Sequence, residues 1–133
     1  MSNFEIRDDL KLILFRPFGE LTLETMRQYV NMIRKGGKVT MSYNRFTSLE
    51  SLTSTDLDVE GASQIASIVK SIRSANPEIK SCIYAKTGNP EVSFFSMEVV
   101  ANMQPQFDNF LVSKDLQACA DYLAVDISVL KAL

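Results

Sequence analysis

The chain has 133 residues, 46% of them apolar and 23% charged, and its 14 Lys and Arg against 16 Asp and Glu give a formal net charge of −2. A chain of this size is expected to form one domain, 1–133, and to bury about two-thirds of the surface its unfolded form exposes, with no need of a disulfide or metal staple. The sequence contains no His, which excludes Ser-His-Asp and Cys-His catalysis and His-based zinc chemistry. Near-neutral charge also argues against nucleic acid as a partner, because such binders usually carry a basic stripe.

Phe4–Arg7 and Leu10–Phe18 read as two strands joined by a hairpin turn at Asp8-Asp9. Leu10, Leu12 and Leu14 alternate with Lys11, Ile13 and Phe15, so the second strand is apolar on both faces, as expected of a strand covered on both sides. Pro17 and Gly19 end it. Thr22 is placed to cap a helix with Glu24 in its first turn, and Met26, Tyr29, Val30 and Ile33 fall on one helical face that closes at Gly36. Arg34, Lys35 and Lys38 around Gly36-Gly37 read as a helix C-terminus, where cations suit the dipole and glycine supplies a left-handed cap; a small anion site is the alternative. Val39–Asn44 is a connector of unassigned structure, and Arg45–Leu49 is a short strand.

From Phe46 to Gln64 there are four acids and no base, and most of this stretch reads as a Ser/Thr-rich loop that ends where Asp58 or a neighbour caps the next helix. Ile65, Ile68, Val69 and Ile72 form that helix's apolar stripe, with Ala62 and Ala66 allowing close packing, and it must stop before Pro77. Ile79–Ala85 is a buried strand. Asn89-Pro90-Glu91 opens a third helix, with Val92, Phe95, Val99, Val100 and Met103 facing the core. After Pro105, Phe107–Val112 is the last strand; Ser113 then caps a helix bearing Leu116, Ala120 and Leu123, and Asp126 caps a short helical tail. The order β-β-α-β-α-β-α-β-α defines an α/β single domain with a mixed, mostly parallel sheet covered by helices.

Cys82 and Cys119 lie in apolar stretches and read as buried free thiols. The first residues lack a basic region followed by an apolar core, and no apolar run approaches the ~18 residues of a membrane span. A cytoplasmic protein is therefore expected.

This element order resembles the STAS domain of anti-sigma-factor antagonists, and more closely the short, mostly uncharacterised bacterial proteins of SpoIIAA-like fold. The resemblance rests on the Phe4-Glu5-Ile6-Arg7 and Leu10–Phe15 hairpin, the helix near Thr22, Arg45-Phe46-Thr47-Ser48-Leu49, Leu57-Asp58 before the Ile65 helix, and the tail Ala120-Asp121-Tyr122-Leu123-Ala124-Val125-Asp126. It implies a non-enzymatic regulatory module that binds another protein, such as a switch kinase or regulator. In the antagonists an Asp-Leu-Ser or Asp-Phe-Ser motif ends the third strand, and phosphorylation of its serine adds a charge of about −2 that breaks the partner interface. Here Ser48 stands at the Asp position and Glu50 at the serine, a departure that speaks against the phospho-switch; Ser48 or Ser51 takes the serine's place only if the register shifts by one residue.

Ser48, Glu50, Ser51, Thr53 and Asp56 are the expected partner-binding loop, because loops at the carboxyl ends of strands in α/β sheets are where ligands bind. The bland alternative is that their side chains only form turns and caps. Asp56 and Asp58 lack the further ligands of a metal or acid-base site, and Lys86-Thr87-Gly88-Asn89-Pro90 matches no phosphate-binding pattern, so no catalytic residue, metal or cofactor is expected. Phe94, Phe95, Met97 and Met103 give the third helix a broad apolar arc, read as core packing, as a dimer contact, or as the lining of an apolar pocket. Exposure of Phe15, Pro17 and Phe18 would likewise mark an interface. The second functional reading follows from the third helix: binding of a small lipid-like ligand, since the SpoIIAA-like fold is similar to that of lipid-exchange (CRAL-TRIO) domains.

Overall fold

A computed structural model describes residues 2–73, 78–103 and 109–132. In chain order its elements are β1 (Ser2–Arg7), β2 (Leu12–Pro17), β3 (Gly19–Leu21), α1 (Leu23–Lys35), α2 (Gly37–Met41), β4 (Asn44–Ser48), β5 (Leu52–Thr55), α3 (Val59–Arg73), β6 (Ser81–Tyr84), α4 (Pro90–Met103), β7 (Phe110–Ser113), α5 (Leu116–Leu123) and α6 (Ile127–Lys131). The main sheet runs β1-β2-β4-β6-β7, antiparallel at β1/β2 and parallel beyond, as the alternation of strands and helices predicts. The expected residues Pro77, Pro105 and Phe107, and the side chains of Ile72, Val100 and Met103, lie outside those described.

Successive strand side chains point to opposite faces, and here both faces are apolar. Ile13, Phe15, Ile83 and Phe110 pack under α1, α3 and α4, while Leu12, Leu14, Phe46, Cys82 and Tyr84 pack under α5 and α6. This two-sided cover explains why Leu12, Ile13, Leu14 and Phe15 are each no more than 1% exposed. Phe15 and Pro17 are buried and Phe18 is half-buried, so this segment is core rather than an interface.

Three differences from the sequence expectation have clear causes. The acidic stretch expected as a loop contains β5, which pairs in parallel with β3 as a separate two-stranded ribbon. Pro17 has no N–H to continue the main ladder, and Gly19, at φ 74°, turns the chain out toward Leu52. The left-handed residue after α1 is Gly37 at φ 79°, not Gly36, and it starts α2, which takes up the first half of the unassigned connector, Val39–Met41. Ser113 ends β7 instead of capping α5. Asp115 takes the cap by accepting from Gln117 N–H at 3.0 Å, and the Ser113 hydroxyl shapes the preceding turn by accepting from Asp115 N–H at 3.0 Å. The caps expected at Thr22, Asp58, Asn89 and Asp126 all form.

Tyr29 of α1 stacks on Phe15 with ring centroids 4.3 Å apart. Burial holds its phenol above the ordinary pKa of 10.0, against the opposing effects of the Arg45 charge and a hydrogen bond with Thr47. Tyr43 is raised as well, chiefly by the 2.7 Å hydrogen bond it donates to Asp8. A raised phenol stabilises the fold fully below its unfolded pKa, and that contribution is lost as pH rises through the folded value. Urea midpoints should therefore fall above pH 10, the unperturbed tyrosine value, and fall less steeply in Tyr29→Phe. Equal alkaline slopes in the two proteins would contradict this assignment.

Candidate functional site

Strand β4 ends at Ser48, whose hydroxyl is fully buried and accepts from Glu50 N–H at 3.5 Å. Leu49 donates its N–H to Tyr84 O at 3.0 Å and turns its side chain into the core with α3 and α4. The chain must therefore reverse over Glu50 and Ser51, and Leu52 N–H closes the turn on Leu49 O at 3.2 Å. The ribbon follows: Gly19 N–H donates to Ser51 O at 3.2 Å, and the Thr55 hydroxyl donates to Leu21 O at 3.0 Å while accepting from Leu57 N–H at 3.2 Å. Asp58 then accepts from Gly61 N–H at 2.9 Å and starts α3.

At the turn the Glu50 carboxylate lies 3.0 Å from the Arg16 guanidinium of β2, with the two side chains 39% and 17% exposed. A pair this exposed contributes no more than about 1 kcal/mol, but it fixes the direction of Glu50. Glu20 on β3, Asp56 beyond β5, Asp58 before α3 and Glu60 in its first turn are all exposed.

Asn89 ties the ribbon to the start of α4. Asn89 caps α4 through Oδ1, accepting from Glu91 and Val92 N–H at 2.9 and 3.1 Å, while its Nδ2 donates to Thr53 O. Asn89→Ala removes both functions and should cost about 1–2 kcal/mol by urea denaturation; Asn89→Asp keeps the cap acceptor, loses the donor, and should cost less. Equal stability of Asn89→Ala and the wild type would contradict the double role.

Of the five expected loop residues, Glu50, Thr53 and Asp56 are exposed, Ser51 is half-buried, and Ser48 lies in the core below them. A kinase has no access to Ser48 in this arrangement. The α3 N-terminus also lies at Val59 rather than directly after β4, so Glu50 does not occupy a helix start. The Lys86–Pro90 segment is a plain strand-to-helix connection in which Thr87 Oγ accepts from Asn89 N–H at 3.2 Å. Among the described residues no three His, Cys, Asp or Glu side chains gather as a metal site.

The broad apolar arc of α4 is divided. Phe95 and Val99 face a cavity of about 90 Å³ lined by α1, α3, α4 and the sheet, whereas Phe94 and Met97 point outward with 60% and 69% exposure. The Met103 side chain lies outside those described. The cavity is almost wholly apolar, but ligand pockets commonly enclose about 300–1,000 Å³.

Sequence reasoning missed the ribbon and the Arg16–Glu50 pair. The β-branched residues Thr53 and Thr55 were the available sign of a strand; the ion pair had none, because it depends on how β2 and β4 are registered.

No protein-family model and no curated protein matches the chain. Among solved structures, the anti-sigma factor antagonist SpoIIAA in its unphosphorylated form aligns with a TM-score of 0.59 and 14% identity, covering 93% of this chain and 98% of that one. An uncharacterized DUF3478-family protein with a SpoIIAA-like fold from Shewanella loihica PV-4 aligns with a TM-score of 0.52 and 18% identity, covering 92% of each chain. The likeness is one of fold: this chain has the STAS, or SpoIIAA-like, α/β fold that its element order resembles.

Proposed function

We propose that the protein is a non-enzymatic regulatory module that binds another protein through the β3–β5 ribbon and the turn leading into it. Glu50, Ser51, Thr53 and Asp56 make the contact, and Ser48 acts from below by holding the turn. The observation that carries this reading is the construction of the acidic segment as a hydrogen-bonded ribbon outside the main sheet. It stands where β4 ends, the side of an α/β sheet on which ligands and partners commonly bind. The SpoIIAA-like fold supports the same reading, since SpoIIAA is an anti-sigma factor antagonist.

The exposed acids select a partner with a basic surface, and the encounter should weaken as salt rises. Glu50, held by Arg16, carries a fixed negative charge where the antagonists carry a switchable serine, so occupancy follows partner concentration rather than phosphorylation. The apolar-ligand alternative gains little support from a cavity of about 90 Å³. Among the described residues no helix is long and apolar enough to cross a membrane.

Native mass spectrometry of the protein purified gently from its own host tests the proposal. A complex with a second protein, lost in a Glu50→Lys/Asp56→Lys variant, is the expected result. A bare monomer, a homodimer alone, or a co-purifying small molecule would overturn it.

A further inference from the structure

Two nucleophilic side chains play no part in the docking face. Cys82 of β6 and Cys119 of α5, the two cysteines of the chain, are far apart in sequence, yet both lie in the core cluster between α5 and the sheet, 1% and 0% exposed. Both are unbridged thiols, and they hydrogen bond to each other. Cys82 donates and Cys119 accepts: the shared bond pushes the Cys82 thiol up and draws the Cys119 thiol down, the latter against burial and the charge of Asp115. The first negative charge of the pair therefore falls on Cys119.

We propose that Cys82 and Cys119 are a peroxide-oxidisable dithiol whose disulfide locks α5 onto the central sheet. Hydrogen peroxide is small enough to enter when α5, a helix of 8 residues, opens locally. The Cys119 thiolate attacks one peroxide oxygen; the O–O bond breaks, and the departing hydroxide takes a proton to become water, leaving a sulfenic acid on Cys119. The Cys82 sulfur then attacks the Cys119 sulfur, the S–O bond breaks, and the second hydroxide leaves as water with the Cys82 proton. The two thiols lose two hydrogens in total and one peroxide becomes two waters. The disulfide joins one sheet strand to a helix at the far end of the sequence, so it restrains α5 without touching the ribbon.

The test treats the full chain with hydrogen peroxide, quenches it, and alkylates it in denaturant before intact-mass and peptide analysis. The expected result is a mass lower by two hydrogens, no alkyl adducts, and a peptide linking Cys82 to Cys119, with amide exchange in α5 slowed and restored by reductant. In Cys82→Ser, dimedone should trap the unresolved sulfenic acid on Cys119. Full alkylation of both thiols after oxidant, over-oxidation of either without a crosslink, or α5 exchange unchanged by the disulfide would overturn the proposal. The wild-type measurement decides it even if the variant does not fold.

Discussion

Replacing Phe46 by Ala should lower stability by about 3–5 kcal/mol, read as a fall in the urea midpoint with little change in slope. Phe46 is fully buried at the middle of β4, registered between Leu14 of β2 and Cys82 of β6. Its ring supports Ala120 and Leu123 of α5 and Leu130 of α6 in the same cluster. The sheet backbone on either side is fixed by parallel ladders, so the site has little freedom to collapse around the missing ring, and the cost includes a cavity as well as lost burial. Domains of this size are typically stable by about 5–15 kcal/mol, so this one change removes a large share. The effect reaches the candidate site because Ser48 ends the same strand and Glu50 follows it. A loss below about 1 kcal/mol would contradict the packing described.

Gly36→Ala is the second large effect, and here the sign is decided by packing. The residue sits at φ −72° and ψ −9°, which any amino acid adopts, so on backbone grounds Ala should stabilise by about 0.4–1 kcal/mol. The added Cβ, however, would lie 2.2 Å from Thr40 Oγ, 2.5 Å from its Cβ and 2.8 Å from its Cγ2. Thr40 is buried and donates its hydroxyl to Gly36 O at 3.1 Å. Because the Thr40 Cβ itself is in the way, no rotamer relieves the clash, and α2 must shift against α1. Overpacking of this kind costs about 1–3 kcal/mol, which outweighs the backbone gain. Thr40→Ala retains the offending Cβ and should fail to rescue the variant. Gly37→Ala meets nothing within 4 Å, and its cost of about 1–2 kcal/mol comes from the left-handed backbone alone. A stabilised Gly36→Ala protein would show that α1 and α2 do not meet in this way.

The parts of the fold legible in the sequence are those with a repeating physical signal. The β1–β2 hairpin, α1 and the start of α4 announce themselves through alternation, helical spacing and caps, because each long element must bury a defined face. The ribbon gives no comparable signal. Strands of 3 and 4 residues are too short for periodicity, and their pairing depends on the turn at Gly19 and on backbone bonds. At α5, Ser113 and Asp115 are both chemically suited to cap, and only the end of β7 decides between them. Adjacent Phe94 and Phe95 cover both sides of α4, so composition alone leaves open which ring is buried. Side-chain pairs such as Arg16–Glu50 and Cys82–Cys119 become visible only once strand register and helix placement are known.

The central claim is that the acidic ribbon is the surface that meets a partner. Amide hydrogen exchange on the complex captured from the host tests it most directly. The account predicts slowed exchange in β3, β5 and the Leu49–Ser51 turn, with the outer face of α4 around Phe94 and Met97 unchanged. Protection centred on that face of α4, with the ribbon exchanging as in the free protein, would contradict it.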